Sequence, residues 1–148
     1  MARAGAALPR KRREFYEALI QELAAFGRQQ FLLRSSSETG GTLGEHIAAA
    51  ERVRPGVVKR RPKDTPPEAT AFLWSWYMDI SSARICSVGM GALIYHPIQF
   101  SEILAWCGLH DIRLEPWQLR AIRLLDAAHV AGLMRSATEV TREELSGD

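Results

Sequence analysis

Cysteine is scarce in this 148-residue chain: Cys86 and Cys107 are the only two. Two thiols cannot build the disulfide framework of a small secreted domain, so a reducing compartment with both thiols free is expected. Long apolar runs are missing as well. The longest stretch without a charged residue, Ile85 to Ser101, carries His96, Pro97, Gln99 and two glycines, and is too short and too polar to span a bilayer. The apolar residues after Arg10-Lys11-Arg12-Arg13 are interrupted by Glu17 and Glu22, so no secretory h-region forms. A strong charge of one sign is absent too, with 19 basic and 17 acidic residues and a net charge of +2.

Catalytic signatures are equally thin. There is no phosphate-binding glycine loop, no His-Glu-x-x-His and no Cys-x-x-Cys, and Gly89-x-Gly91 reads as a turn. Cys107, His110 and His96 offer too few ligands for a structural zinc site, which needs four. Cys86 has no base beside it in any known pattern, and His129 reads as a satisfied core histidine. Asp79, Glu102 and Asp126 each sit among apolar neighbours in a helical pattern, and salt bridges to Arg84, Arg120 or Arg123 are the expected fate. No catalytic residue, metal or cofactor is assigned.

What is present is ordinary globular composition, 47% hydrophobic and 24% charged. The charge is uneven. Residues 1–63 hold 13 basic and 6 acidic groups, whereas 64–148 hold 6 and 11. All four tryptophans (Trp74, Trp76, Trp106, Trp117) fall in the second part.

The periodicity is helical. Residues 10–33 repeat Phe15, Leu19, Leu23, Phe26 and Leu33 at helical spacing. Ser35 to Gly41 is a break, and Thr42-Leu43-Gly44-Glu45 is a capping box opening a short helix over 43–53. Val53 to Lys63 reads as a basic linker. Thr65-Pro66-Pro67-Glu68 predicts a capped start for a helix over 66–82, with Ala69, Phe72, Leu73, Trp76 and Ile80 inward. Residues 84–98 read as a loop. A helix over 99–107 stopping at Gly108, and another over 115–134, complete the pattern. The class is all-α: a bundle of three core helices with an N-terminal helical arm. The expected divisions are a basic helical arm (1–41), a short helix and basic linker (42–64), a helical core (65–134) and a polar tail (135–148). The core is expected to enclose Phe72, Trp76, Ile103, Trp106, Trp117, Ile122 and Leu125.

Three segments occur together in order: Pro66-Pro67-Glu68 with Trp74-Ser75-Trp76, Ile80-Ser81 and Arg84; Pro97-Ile98 with Glu102-Ile103 and Ala105-Trp106; and Leu114-Glu115-Pro116-Trp117 with Arg120-Ala121, Leu124-Leu125-Asp126 and Ala128. This set resembles the small tail assembly chaperones of long-tailed bacteriophages and prophages, and Thr42 to Ile47 is similar to their usual start. The resemblance covers residues 42–134. Two positions depart from it: Ile94-Tyr95-His96-Pro97 stands where Gly-Pro-Asn-Pro is usual, and His129 where tyrosine is common. Residues 1–41 have no counterpart in it.

The resemblance implies a non-enzymatic binding protein of the host cytoplasm, absent from the finished virion. Its partners would be the tape measure protein, kept soluble, and the major tail tube protein, recruited for assembly. Self-association is compatible with that role; nucleic acid and membrane are not expected partners. A chaperone for amphipathic helices needs an exposed apolar surface, and aromatic residues are favoured anchors. Trp74 and Tyr77, at the edge of the inward stripe, are therefore assigned to partner binding, the alternative being that they close the bundle, together with Arg84 and Tyr95 of the 84–98 segment. The alternative is a helix-turn-helix DNA binder built on the helices flanking Gly108. Against it, residues 64–148 are net acidic, and the would-be reading helix begins Glu115-Pro116-Trp117.

Overall fold

The computed structural model describes residues 9–35, 40–58 and 62–146, with side chains through Arg135. Lys59-Arg60-Arg61, most of the Ser35–Gly41 break and the side chains of the polar tail lie outside the described residues. Among those described there are five α-helices: α1 (Arg10–Leu33), α2 (Leu43–Val53), α3 (Ala71–Ser82), α4 (Phe100–Leu109) and α5 (Pro116–Ser146). A 3-10 turn at Glu68–Thr70 precedes α3, and two short strands, β1 (Cys86–Gly89) and β2 (Ala92–Tyr95), lie between α3 and α4. The all-α expectation holds for the bulk of the chain and is corrected by this antiparallel hairpin, which stands where a loop was read.

The long helices α1 and α5 form the backbone of the fold, and they run parallel. Tyr16 stacks on Trp117 near their N-termini, with ring centroids 4.7 Å apart, and Phe31 stacks on His129 further along at 4.1 Å. Between these, Gly27 lets the helices close up: a Cβ there would stand 2.4 Å from Leu125 Cδ2. Ile20, Leu23, Phe26 and Phe31 are buried along the inner face of α1. Ile20, Leu23 and Phe31 share one apolar cluster with Leu73, Tyr77, Ile80, Ile98, Ile103, Ile122 and Leu125. Residue 41 therefore does not divide the core; α1 is one of its walls.

The predicted face of α3 is rotated. Thr70, Leu73, Tyr77 and Ile80 are buried, whereas Phe72 is exposed and Trp76 only packs against the core edge. Packing decides the face, since Leu73, Tyr77 and Ile80 join the apolar cluster with Ile20, Leu23, Phe31, Ile122 and Leu125. A residue before proline is pushed toward extended backbone, so Pro66-Pro67 delays the first turn. Pro67 is itself extended (φ −55°, ψ 132°), no side chain caps the turn, and the chain passes through 3-10 geometry before settling into α. The anticipated Thr65 cap is absent, and the α-helix begins at Ala71. Trp106 and Trp117, expected inside, likewise line the core edge rather than fill it.

Other local signals fold as their chemistry dictates. Thr42 Oγ1 accepts the Glu45 amide at 3.2 Å while Glu45 Oε2 accepts the Thr42 amide at 2.7 Å, which completes the capping box of α2. The α4 helix continues through Gly108 to Leu109. There Asp111 takes the left-handed conformation (φ 52°) and the Ile112 amide donates back to the Cys107 carbonyl at 2.9 Å, a Schellman-type closure. Pro116 occupies the first position of α5, and the backbone helix runs past the predicted end to Ser146.

Candidate partner-binding surface

The four residues assigned to partner binding from the sequence do not form one surface. Tyr77 is wholly buried. Trp74 is half-buried and wedged against α1, with its ring 5.0 Å from Phe26 and 5.7 Å from Phe31. Arg84 is held inside by Asp126, and its side chain is 7% exposed. Tyr95 is half-buried on β2. Tyr77 and Arg84 have buried side chains, and neither is within reach of a partner without opening the fold. Trp74 joins two helices of the same chain.

Tyr77, Arg84, Asp126 and His129 make a polar network inside the apolar cluster. The Tyr77 hydroxyl lies 2.8 Å from His129 Nδ1 and receives an Arg84 N–H at 3.0 Å. Arg84 also donates to Asp126 Oδ1 at 2.6 Å and to the His96 carbonyl at 2.8 Å. Asp126 Oδ2 accepts the buried Ile98 amide at 3.0 Å, and Arg123 donates to the Ile98 carbonyl at 2.7 Å. Both ends of the hairpin, Arg84 before it and His96–Ile98 after it, are thereby tied to α5. A lone two-stranded hairpin is marginal in water, so this tie at its base holds it in place. Burial first, and then the Arg84 charge, push the His129 imidazole down to about 4, so it is neutral at pH 7. Burial also drives the Tyr77 hydroxyl well above its ordinary range. Every buried side-chain polar atom among the described residues has a hydrogen-bond partner. The network therefore serves the scaffold, and Arg84 is the arginine, of the three anticipated, that pairs with Asp126.

The exposed apolar surface lies instead on α4. Its sequence, Phe-Ser-Glu-Ile-Leu-Ala-Trp-Cys-Gly-Leu, is apolar on nearly all sides, the signature of a helix enclosed by protein. Yet only Ile103 and Cys107 are buried. Phe100 is 61% exposed, Leu104 74% and Leu109 86%. Phe100, Leu104 and Gly108 follow one another at i, i+4 and i+8, and a Cβ on Gly108 would meet nothing within 4 Å. Beside this ridge a groove of about 370 Å³ runs between α4 and the start of α5. Its lining comprises Phe100, Ile103, Leu104 and Cys107 on one wall, and Ile112, Arg113, Leu114 and Leu119 on the other. That volume is at the lower end for ligand sites and matches a few large apolar side chains.

The hairpin is a second exposed apolar feature. From Ile85 to Tyr95 it carries no charged residue. Met90 is fully exposed and Val88 largely so, and Val88 pairs across the strands with Leu93. The sequence reading placed a candidate surface in this segment but missed the strands, and it gave α4 as a helix without giving it as a surface. The signal for α4 was its all-round apolarity, whereas the reading took from it only Ile103 and Trp106 as core.

The three candidate zinc ligands do not converge. His96 Nε2 lies 2.8 Å from Ser87 Oγ on the hairpin, Cys107 is inside α4, and His110 stacks on Trp106 at 4.3 Å. Among the described residues no three His, Cys, Asp or Glu side chains are grouped to hold a metal ion, and no helix is long and apolar enough to cross a membrane. A family model described as phage tail assembly chaperone matches residues 47–131, more than half of the chain. No curated protein and no solved structure matches the chain significantly.

Proposed function

Because the chain belongs to the phage tail assembly chaperone family, we propose that it acts without catalysis, binding apolar helical segments of the tape measure protein during tail assembly. The observation that carries this reading is α4, an apolar helix left largely uncovered beside a groove. A long helical chain awaiting assembly exposes apolar stripes that aggregate unless another surface covers them. An amphipathic helix lays such a stripe into a groove through anchors at i, i+4 and i+7. The α4 ridge supplies the complementary row, and helices pack ridge against groove. Trp74 and Tyr95 stand at the margins of this account, the first as a strut between helices and the second on the hairpin. Recruitment of the major tail tube protein, the cytoplasmic site of action and absence from the virion complete the proposal.

The test is co-expression of the tape measure protein with the wild-type chain or with Leu104→Asp. Leu104 is exposed, so the variant folds with an unchanged circular dichroism spectrum. The tape measure protein should then shift from the soluble to the insoluble fraction. Equal solubility with both chains would remove α4 from the binding surface.

A further inference from the structure

Resting on the reading of the α4 groove as the client site, we infer that Arg113 selects among clients, favouring amphipathic helices with a carboxylate at the edge of the apolar stripe. The groove lining is apolar except for this one guanidinium. Arg113 is exposed on the connection between α4 and α5, and its side chain makes no hydrogen bond or ion pair among the described residues. Its neighbours are otherwise engaged. Arg123 lies over the Phe100 ring at 4.7 Å and donates to the Ile98 carbonyl. Arg120 pairs with Glu17 at 2.8 Å. Glu115 accepts the Trp117 indole N–H at 2.9 Å, and Glu102 caps the start of α4 through the Gln99 amide. Asp111, also exposed, makes no side-chain hydrogen bond or ion pair among the described residues.

An apolar stripe seated between Phe100, Leu104 and Leu119 brings the flank of its helix to Arg113. A glutamate on that flank gains a bidentate, charge-assisted contact, while a lysine there meets a like charge at a partly desolvated rim. A glutamine gains neither. The apolar groove supplies affinity for any amphipathic helix, and Arg113 sets the order among them.

The experiment uses the full chain and three synthetic amphipathic helical peptides of about 18 residues. They share one leucine stripe and differ only in carrying Glu, Gln or Lys at its edge. Binding is read by fluorescence anisotropy at low and high salt. The Glu peptide should bind the wild type roughly threefold more tightly than the Gln peptide, with Lys weakest, and the spread should narrow at high salt. The variant Arg113→Glu, altered at an exposed side chain without partners, should reverse the order and favour Lys. Three peptides bound equally by the wild type, or an order unchanged in Arg113→Glu, would overturn the selection while leaving the groove as client site. No binding of any peptide would overturn the groove reading and this inference together.

Discussion

His129 shows how burial turns an ordinary side chain into a pH-dependent one. Its folded value of about 4 lies below the ordinary value of 6.5, so the unfolded chain takes up a proton first as pH falls. The stability that rests on neutral His129 is therefore complete above about pH 6.5 and is lost as pH drops toward 4. The ring is partly exposed, so the loss is on the order of 1 kcal/mol over that window. Urea denaturation between pH 7 and 4.5 should show the decline, and His129→Gln, which keeps a hydrogen-bonding partner for Tyr77 without titrating, should flatten it. Asp126 carries more. Its removal leaves Arg84 buried and unpaired and frees the Ile98 amide, so Asp126→Ala should cost about 3–5 kcal/mol in the same measurement. That the carboxylate at 126 would find an arginine among Arg84, Arg120 and Arg123 was legible, because a charge between apolar neighbours on a helix needs a partner; which of the three it would be was not. That Tyr77 rather than Trp76 would point inward was not, because both fall beside Leu73 and Ile80 at helical spacing and the choice is made by packing against α1 and α5.

At the scale of elements, α4 separates into two faces with opposite consequences. Ile103→Ala opens a cavity in the core and should cost about 2–5 kcal/mol. Leu104→Ala, one residue on, removes an exposed side chain and should change stability by no more than about 0.5 kcal/mol. Thermal melts of the two variants test this directly. The helix itself was legible from its spacing, but its exposure was not: apolarity on all sides reads as core whether a wall of the same chain or a partner provides the cover. The hairpin escaped for a different reason. Its strands are four residues each and lack period-2 alternation, and its turn places Met90, not asparagine or aspartate, at positive φ (51°) before Gly91. What fixes the hairpin is tertiary, the Arg84–Asp126–Ile98 tie, and that connects residues far apart in the chain.

At the scale of the molecule, the N-terminal helix belongs to the fold. Its bounds, 10–33, were evident from periodicity, but its basic start and the break after residue 34 suggested a free arm. Parallel packing on α5 was not visible, because nothing in a local pattern says which distant helix supplies the opposing face. Since Ile20, Leu23 and Phe31 lie in the common cluster, deletion of residues 1–41 should abolish the cooperative unfolding transition seen in the full chain. The family membership extends over residues 47–131, which hold α3, the hairpin, α4 and the first half of α5, and so include the groove. This groove and its α4 ridge are the surface proposed to receive the tape measure protein. Amide hydrogen exchange of the chain alone and in complex with the tape measure protein tests it most directly. The account predicts new protection concentrated in residues 100–115 and the first turns of α5, with the Ile85–Tyr95 hairpin and α2 unchanged. Protection confined to the hairpin or to α2, with 100–115 exchanging as in the free chain, would contradict it.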